Sequence, residues 1–142
     1  MRIGVIVVAV TTAVFAANCG KKADPVCPRS IKPLAVSDVS ARIRGLGIDV
    51  SWTVDQGERD DLTFRIFRSS LKPDGCLTCP REYNLIDHLS LQDPKLKRNA
   101  GNGLTYRDTE VAHGYSYSYK VVTCNESENC SDESNRADVV FP

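Results

Sequence analysis

An all-β sandwich is the fold this sequence predicts from about residue 34 onward. Short runs of alternating apolar and polar residues recur with turn residues between them, and no long segment shows a helical period. The first run is Val36 to Arg42, entered from Pro33. Gly47 to Thr53 is the second, with Ile48, Val50 and Trp52 on one side and Asp49, Ser51 and Thr53 on the other. One buried and one wet face is the mark of a sandwich strand. In the third, Thr63 to Ser69, Phe64 and Ile66 are expected inward and Arg65 and Arg68 outward, a scheme that leaves Phe67 unexplained. Tyr83 to Leu89 and Leu104 to Asp108 are the fourth and fifth. In the sixth, Tyr115 to Cys124, residues Tyr117, Tyr119, Val121 and Thr123 share one face, opposite Ser116, Ser118, Lys120 and Val122. Ala137 to Phe141 completes about seven strands. Trp52, Phe64, Ile66, Tyr117, Tyr119 and Val121 are the predicted core.

The N-terminus carries a different kind of information. Arg2 is the only charge before Lys21, and Ile3 to Ala17 is apolar except for Gly4, Thr11 and Thr12. At about 1.5 Å per residue this run reaches ~22 Å, short of the ~30 Å hydrocarbon core, so an export signal is expected rather than a spanning helix. Phe15-Ala16-Ala17-Asn18-Cys19 resembles the lipobox of bacterial lipoproteins, although Ala16 stands where Leu is usual and Asn18 where Gly, Ala or Ser is usual. That resemblance implies cleavage between Asn18 and Cys19 and acylation of the Cys19 sulfur. It further implies three acyl chains, more than the two signals that stable anchoring needs. Gly20 after the cysteine, in place of the retention signal Asp, points to the outer membrane where the host has one. Cleavage after Ala16 without lipid, or an uncleaved anchor, are the competing expectations. Cys19-Gly20-Lys21-Lys22 followed by Pro25 is also similar to the opening of small envelope lipoproteins of lipopolysaccharide-transport assembly, with Ala23-Asp24 replacing their usual Gly-Pro.

The expected organisation is a signal peptide over 1–18, an extended tether over 19–33 and one domain over 34–142. The signal segment takes only Arg2 from eighteen basic residues, against eighteen acidic, so no basic surplus argues for nucleic acid. The six cysteines divide unevenly. If Cys19 carries lipid, the close spacings suggest Cys76 with Cys79 and Cys124 with Cys130, leaving Cys27 over in an oxidising compartment. If Cys19 stays free, it can pair with Cys27.

Leu34 to Phe141 resembles a fibronectin type III domain. The matching residues are Pro33, Ile48-Asp49-Val50-Ser51-Trp52, and Phe64-Arg65-Ile66-Phe67-Arg68-Ser69. Tyr106-Arg107-Asp108-Thr109-Glu110-Val111, followed by His113-Gly114 and Tyr115 to Val121, completes the match. In that register Tyr117 takes the tyrosine-corner position, whose hydroxyl bonds backbone upstream. The resemblance implies an immunoglobulin-like sandwich used as an adhesive or spacer module without catalysis, while the fold alone names no function. The cysteine-bearing loop after the third strand and the long loop from Ser90 to Gly103 depart from the family pattern.

Chemistry-bearing constellations are few. Cys76-Leu77-Thr78-Cys79-Pro80 has the spacing of a reducible disulfide but sits in a turn context, so a structural brace is expected over redox work. A zinc site would need two further ligands, and His88, His113 and Cys27 form no second close pair. Glu126, Glu128, Asp132 and Glu133 lack the spacing of a calcium loop. Lys95, Lys97 and Arg98 in the long loop can meet anionic headgroups if that loop faces a membrane. Tyr83, Tyr106 and Tyr115 are the available aromatics for a carbohydrate platform. The expectation is a lipid-anchored envelope protein that binds another envelope protein or a glycan, with no cofactor and no metal. A thiol–disulfide protein using Cys76 and Cys79, or a carbohydrate-binding accessory domain, is the alternative.

Overall fold

The computed structural model describes residues 32–55 and 61–142, and the expectations for Asn18, Cys19 and Cys27 lie outside the described residues. Eight strands form two antiparallel four-stranded sheets stacked as a β-sandwich. They are β1 (Ser40–Arg44), β2 (Gly47–Thr53), β3 (Thr63–Leu71), β4 (Asn84–Ser90), β5 (Leu96–Arg98), β6 (Gly103–Asp108), β7 (Ser116–Cys124) and β8 (Ala137–Val140). The first sheet has the order β1-β2-β6-β5 and the second β4-β3-β7-β8.

Seven of these strands overlap the runs read from alternation, and β5 is the addition. It pairs with β6 through Leu96 opposite Tyr106 and Arg98 opposite Leu104, inside the segment expected to be a loop. Only Leu96 of its three residues is buried, so it offers no alternation to read. β1 begins at Ser40 rather than Val36. Val36 and Val39 are buried ahead of it, three apart, in a segment with no strand partner. The Asn135 side chain holds that segment, its Oδ1 accepting from Val39 N–H and its Nδ2 donating to Val39 O, both at 2.8 Å. An amide side chain here substitutes for a neighbouring strand's peptide.

The core fills from both inner faces. Ile48, Val50 and Trp52 from β2 and Leu104 and Tyr106 from β6 meet Phe64 and Ile66 from β3 and Tyr117, Tyr119 and Val121 from β7. Trp52 and Phe64 pack across the sheets with ring centroids 5.4 Å apart and planes at 57°. Tilted aromatic pairs of this kind add to simple burial. On the last strand pair, the alternation of β7 stacks Tyr115, Tyr117 and Tyr119 at 6.2 and 6.4 Å. Ala112 N–H donates to Tyr117 Oη at 2.7 Å, so the tyrosine corner is formed as the sequence implied.

Two details correct the outward side of β3. Arg68 lies on the inner face, because it shares parity with Phe64 and Ile66, opposite Tyr119. Phe67 is outward and half-buried, and a bulge in β4 sets Leu85 opposite it while Asp87 stays opposite Ile66. That extra residue, Ile86, makes Leu85 and Phe67 an apolar pair on the outer face. Bulges shift a strand's facing in this way.

Between Cys124 and β8 the chain does not form a simple hairpin. It runs beside β7 as an irregular segment in which serine hydroxyls complete the ladder. Ser131 N–H donates to Thr123 O while Ser131 Oγ accepts from Thr123 N–H at 3.0 Å. Ser134 repeats this with Val121, its Oγ accepting at 2.9 Å. Replacing Trp52 by Ala is expected to cost about 3–5 kcal/mol, read from urea unfolding with an unchanged denaturant slope. Ser134→Ala leaves the buried Val121 N–H without its partner and is expected to cost about 1–3 kcal/mol in the same assay.

Candidate functional site

The β1–β2 and β3–β4 connections and the 109–115 turn lie at one end of the sandwich, opposite the end where Leu34 to Asp38 lie beside Thr53 to Asp55 and Lys32 pairs with Asp132. This distal end carries both the Cys76–Cys79 loop and a buried charge network. The Cys124–Cys130 bridge closes a loop at the other end, where Asn125 N–H and Glu128 N–H make the turn. Both disulfides are thus formed, at different ends, and two such bonds fit an oxidising, exported setting. Among the described residues no helix is long and apolar enough to cross a membrane.

The network is built on Asp108, the last residue of β6. Its carboxylate is 3% exposed, and the Arg68 side chain facing it is 18% exposed. Arg68 Nη1 donates to both carboxylate oxygens at 3.0 and 2.8 Å and to Glu110 O at 2.8 Å. Tyr119 Oη donates to Asp108 Oδ2 at 2.8 Å, and Glu110 N–H donates to Oδ1 at 3.0 Å. Arg68 also lies over the Tyr117 ring, 5.7 Å from its centroid. Burial works against the Arg68 charge, but the hydrogen bonds and charge of Asp108 outweigh it and raise its pKa. Burial first, then the Asp108 charge, pushes the Tyr119 phenol far above its ordinary range. Tyr106 is pushed up to about 12, again by burial first and then by Asp87 and Asp108.

Beside this network opens a polar recess of about 350 Å³, lined in part by Ile86, Asp87, Lys95, Tyr106 and Glu110. Lys95 Nζ meets Asp87 Oδ2 at 2.8 Å and so links the connection before β5 to β4, sheet to sheet. The carboxylate of Asp108 accepts from Arg68, Tyr119 and the Glu110 N–H. Its chemistry is structural, a polar lock between the sheets. Sequence reading missed it because Arg68 was counted outward. Strict alternation from Phe64 would have placed it correctly.

The other singled-out residues separate. Cys76 and Cys79 are exposed and bridged in a turn with no helix beside it among the described residues. Their loop is held by other contacts. Tyr83 Oη lies 2.8 Å from Ser118 Oγ, Ser118 Oγ donates to Asp138 at 2.6 Å, and Lys120 Nζ sits 4.4 Å over the Tyr83 ring. Gly75 lies so close to Leu71 that a Cβ there would overlap its side chain at 2.3 Å. Tyr106 is buried, and Tyr83 and Tyr115 are engaged, so these three form no shared aromatic platform. His88 and His113 are both exposed and lie apart, His88 within β4 and His113 in the turn before β7, where it bonds Pro142 O and packs on Phe141 at 5.1 Å. Glu128, Asp132 and Glu133 are taken by Arg65, Lys32 and Lys120 respectively, so the acidic set is dispersed into ion pairs. Asn125 is buried and its Oδ1 accepts from Ser127 and Asn129 N–H, committing it to the turn. Lys95, Lys97 and Arg98 belong to β5 and the turn before it rather than to a free loop.

No protein-family model matches this chain, and no curated protein does. Among solved structures it is similar to part of a pectate lyase from Pectobacterium carotovorum, at 17% identity and a TM-score of 0.47, covering 76% of this chain and 27% of that one. It is also similar to part of a β-1,2-glucanase from Parabacteroides distasonis, at 22% identity and 0.49, covering 83% of this chain and 14% of that one. The chain therefore spans about a quarter or less of the structures it matches.

Removing Asp108 strands the Arg68 guanidinium between the sheets, so Asp108→Ala is expected to cost about 3–5 kcal/mol in chemical unfolding. Tyr119→Phe removes one donor of several and is expected to cost about 1 kcal/mol. Tyr106 and Tyr119 hold their protons more tightly folded than unfolded. Their contribution to stability is therefore complete below the ordinary phenol value of 10; that of Tyr106 is lost as pH rises through about 12, and that of Tyr119 at still higher pH. Phenolate absorbance should show both phenols ionising later in the native protein than in the denatured one, with Tyr106→Phe removing the about-12 step.

Proposed function

We propose that this chain is a lipid-anchored protein of the bacterial cell envelope, acylated at Cys19, whose β-sandwich is a non-catalytic binding module for another envelope component. One observation supports it above the rest. The disulfide-closed turn carrying Leu77, 74% exposed, sits at the end of the sandwich opposite the one that Lys32 approaches. A domain tethered through its N-terminal side presents that turn to a partner. An exposed leucine on a covalently closed turn is a low-entropy contact, because the bridge has already restricted the loop.

A protein partner suits this surface better than a glycan. Sugar recognition leans on exposed aromatic faces, whereas Tyr83, Tyr106 and Tyr115 are all committed to internal contacts. The bridged turn reads as a brace rather than a redox centre, since Tyr83, Gly75 and Pro73 fix the loop through packing and hydrogen bonds of their own. Insulin reduction catalysed by the protein would reverse that assignment.

Metabolic labelling with palmitate is expected on the wild-type chain and absent from Cys19→Ser, and equal labelling would remove the anchor. A photo-reactive residue placed at Leu77 is expected to give a discrete protein adduct in living cells, with none from Thr53 at the other end. Adducts of equal yield from both positions would remove the binding role from the loop.

A further inference from the structure

Cations are distributed unequally between the two sheets. On the second sheet, every lysine or arginine in a strand has a carboxylate partner: Arg65 with Glu128, Arg68 with Asp108 and Lys120 with Glu133. On the first sheet, Arg42 and Arg44 of β1 and Lys97 and Arg98 of β5 have no ion pair among the described residues. All four are exposed. Arg98 shares the parity of buried Leu96, so the outer face holds Arg42, Arg44 and Lys97, and Arg107 of β6 adds a fourth cation, 3.5 Å from Asp49 and donating to Arg44 O beneath the β1–β2 turn. The chain as a whole is balanced, so this face concentrates positive charge that the composition conceals.

The register shows what the face looks like. Arg42, Asp49 and Arg107 stand in one cross-strand row, and Ser40, Ser51, Thr105 and Lys97 form the next. Gly47 and Gly103 lie at its two ends. Toward the Thr53 end the floor is made of small side chains, with Ser51 Oγ and Thr105 Oγ1 2.8 Å apart, while Arg107 and Asp49 pair across the central strands at the other end and Arg42, Arg44 and Lys97 stand on the edge strands. No aromatic residue lies on it. At the tip of the same β1–β2 hairpin, Leu46 is 81% exposed, carried on a two-residue turn that Gly45 enters with φ +56°.

We infer that this outer face of the first sheet docks flat on an anionic bilayer, with Arg42, Arg44, Lys97 and Arg107 at the headgroups and Leu46 entering the interface. Charge complementarity selects an anionic partner. The flat floor without aromatic platforms selects a planar surface over a polysaccharide strand, and the protruding leucine beside arginines selects lipid over nucleic acid. The inference is consistent with the proposed anchor but does not need it. With the first sheet on the membrane, the second sheet and the loop packed over it through Tyr83 face away, toward a partner.

Charges on the edge strands β1 and β5 also discourage edge-to-edge pairing, and the experiment has to separate that role from lipid docking. The full chain carrying Cys19→Ser is mixed with phosphatidylcholine vesicles, with and without phosphatidylglycerol, and bound protein is measured by sedimentation. Binding is expected to rise with phosphatidylglycerol and to fall with added salt. Each basic side chain near such a surface strengthens partition by about fivefold. Arg42→Ser with Arg44→Ser should therefore weaken binding to the anionic vesicles by about tenfold or more, with the thermal transition unchanged. Leu46→Ser should weaken it further. Lys72→Ser, which removes an exposed cation from the distal loop, should change it little. Equal binding to neutral and anionic vesicles would overturn the inference, as would a Lys72→Ser loss matching that of the arginine pair. Aggregation of the arginine variant with vesicle binding intact would assign those charges to edge protection instead. A failure here leaves palmitate labelling of Cys19 unaffected, so the two results are separable.

Discussion

The sandwich depends on one carboxylate. Asp108 ends β6 in the first sheet and accepts from Arg68 of β3 and Tyr119 of β7 in the second, so one buried group ties three strands across the layer gap. Neither disulfide does this, since both close local turns on their own side of the fold. A buried ion pair adds little when compared with a well-packed apolar substitute, but it is costly to break once present. Its value here is registration. Hydrophobic contact alone tolerates sliding between two layers, whereas a carboxylate held by three donors through four directed hydrogen bonds resists it. The same group sets the β6–β7 connection, because Glu110 contributes both a donor to Asp108 and an acceptor for Arg68. Two residues further on, Ala112 N–H meets Tyr117 Oη, so lock and tyrosine corner are consecutive parts of one turn.

The open sides of the sandwich are closed by polar links of the same type. Beside β1 and β8, Asn135 exchanges two hydrogen bonds with Val39. Beside β4 and β5, Lys95 meets Asp87. The three links occupy the distal end and the two open edges, surrounding an interior that is otherwise apolar around Trp52 and Phe64. The ion pair of Lys95 is exposed and screened, so it orients the β5 segment more than it stabilises it. The Asn135 link is a different case. It supplies backbone partners to a segment that has none, and a buried peptide group without one is expensive.

This division explains what the sequence could disclose. Strands β2, β3, β6 and β7 were legible because each buries alternate residues, and the six predicted core residues, from β2, β3 and β7, all lie in the larger core observed. Strand β5 was not, because a three-residue edge strand with one buried side chain carries no period. Val36 and Val39 misled the start of β1 because burial three residues apart belongs to an irregular segment held by a distant side chain. Arg68 was misplaced by composition. A charge is read as outward unless a partner for it is visible, and Asp108 lies forty positions away. Serine ladders escape for a related reason, since Ser131 and Ser134 look like turn residues and act as backbone acceptors.

Stability and surface chemistry are thereby carried by separate residues. Core packing and the three polar links use side chains that point between the sheets or along their edges. The outward cations Arg42, Arg44 and Lys97 take part in none of these contacts, and their removal leaves every bond of the lock untouched. An exposed, unpaired arginine contributes almost nothing to a fold, so two on one edge strand with Lys97 on the other have no structural cause beyond keeping those edges apart. Edge protection needs only a charge or two for each strand and does not ask for a bare floor between them. The floor of serine, threonine and glycine toward the Thr53 end is what distinguishes this face, because long outward side chains would have served solubility equally well and would have kept a planar surface at a distance.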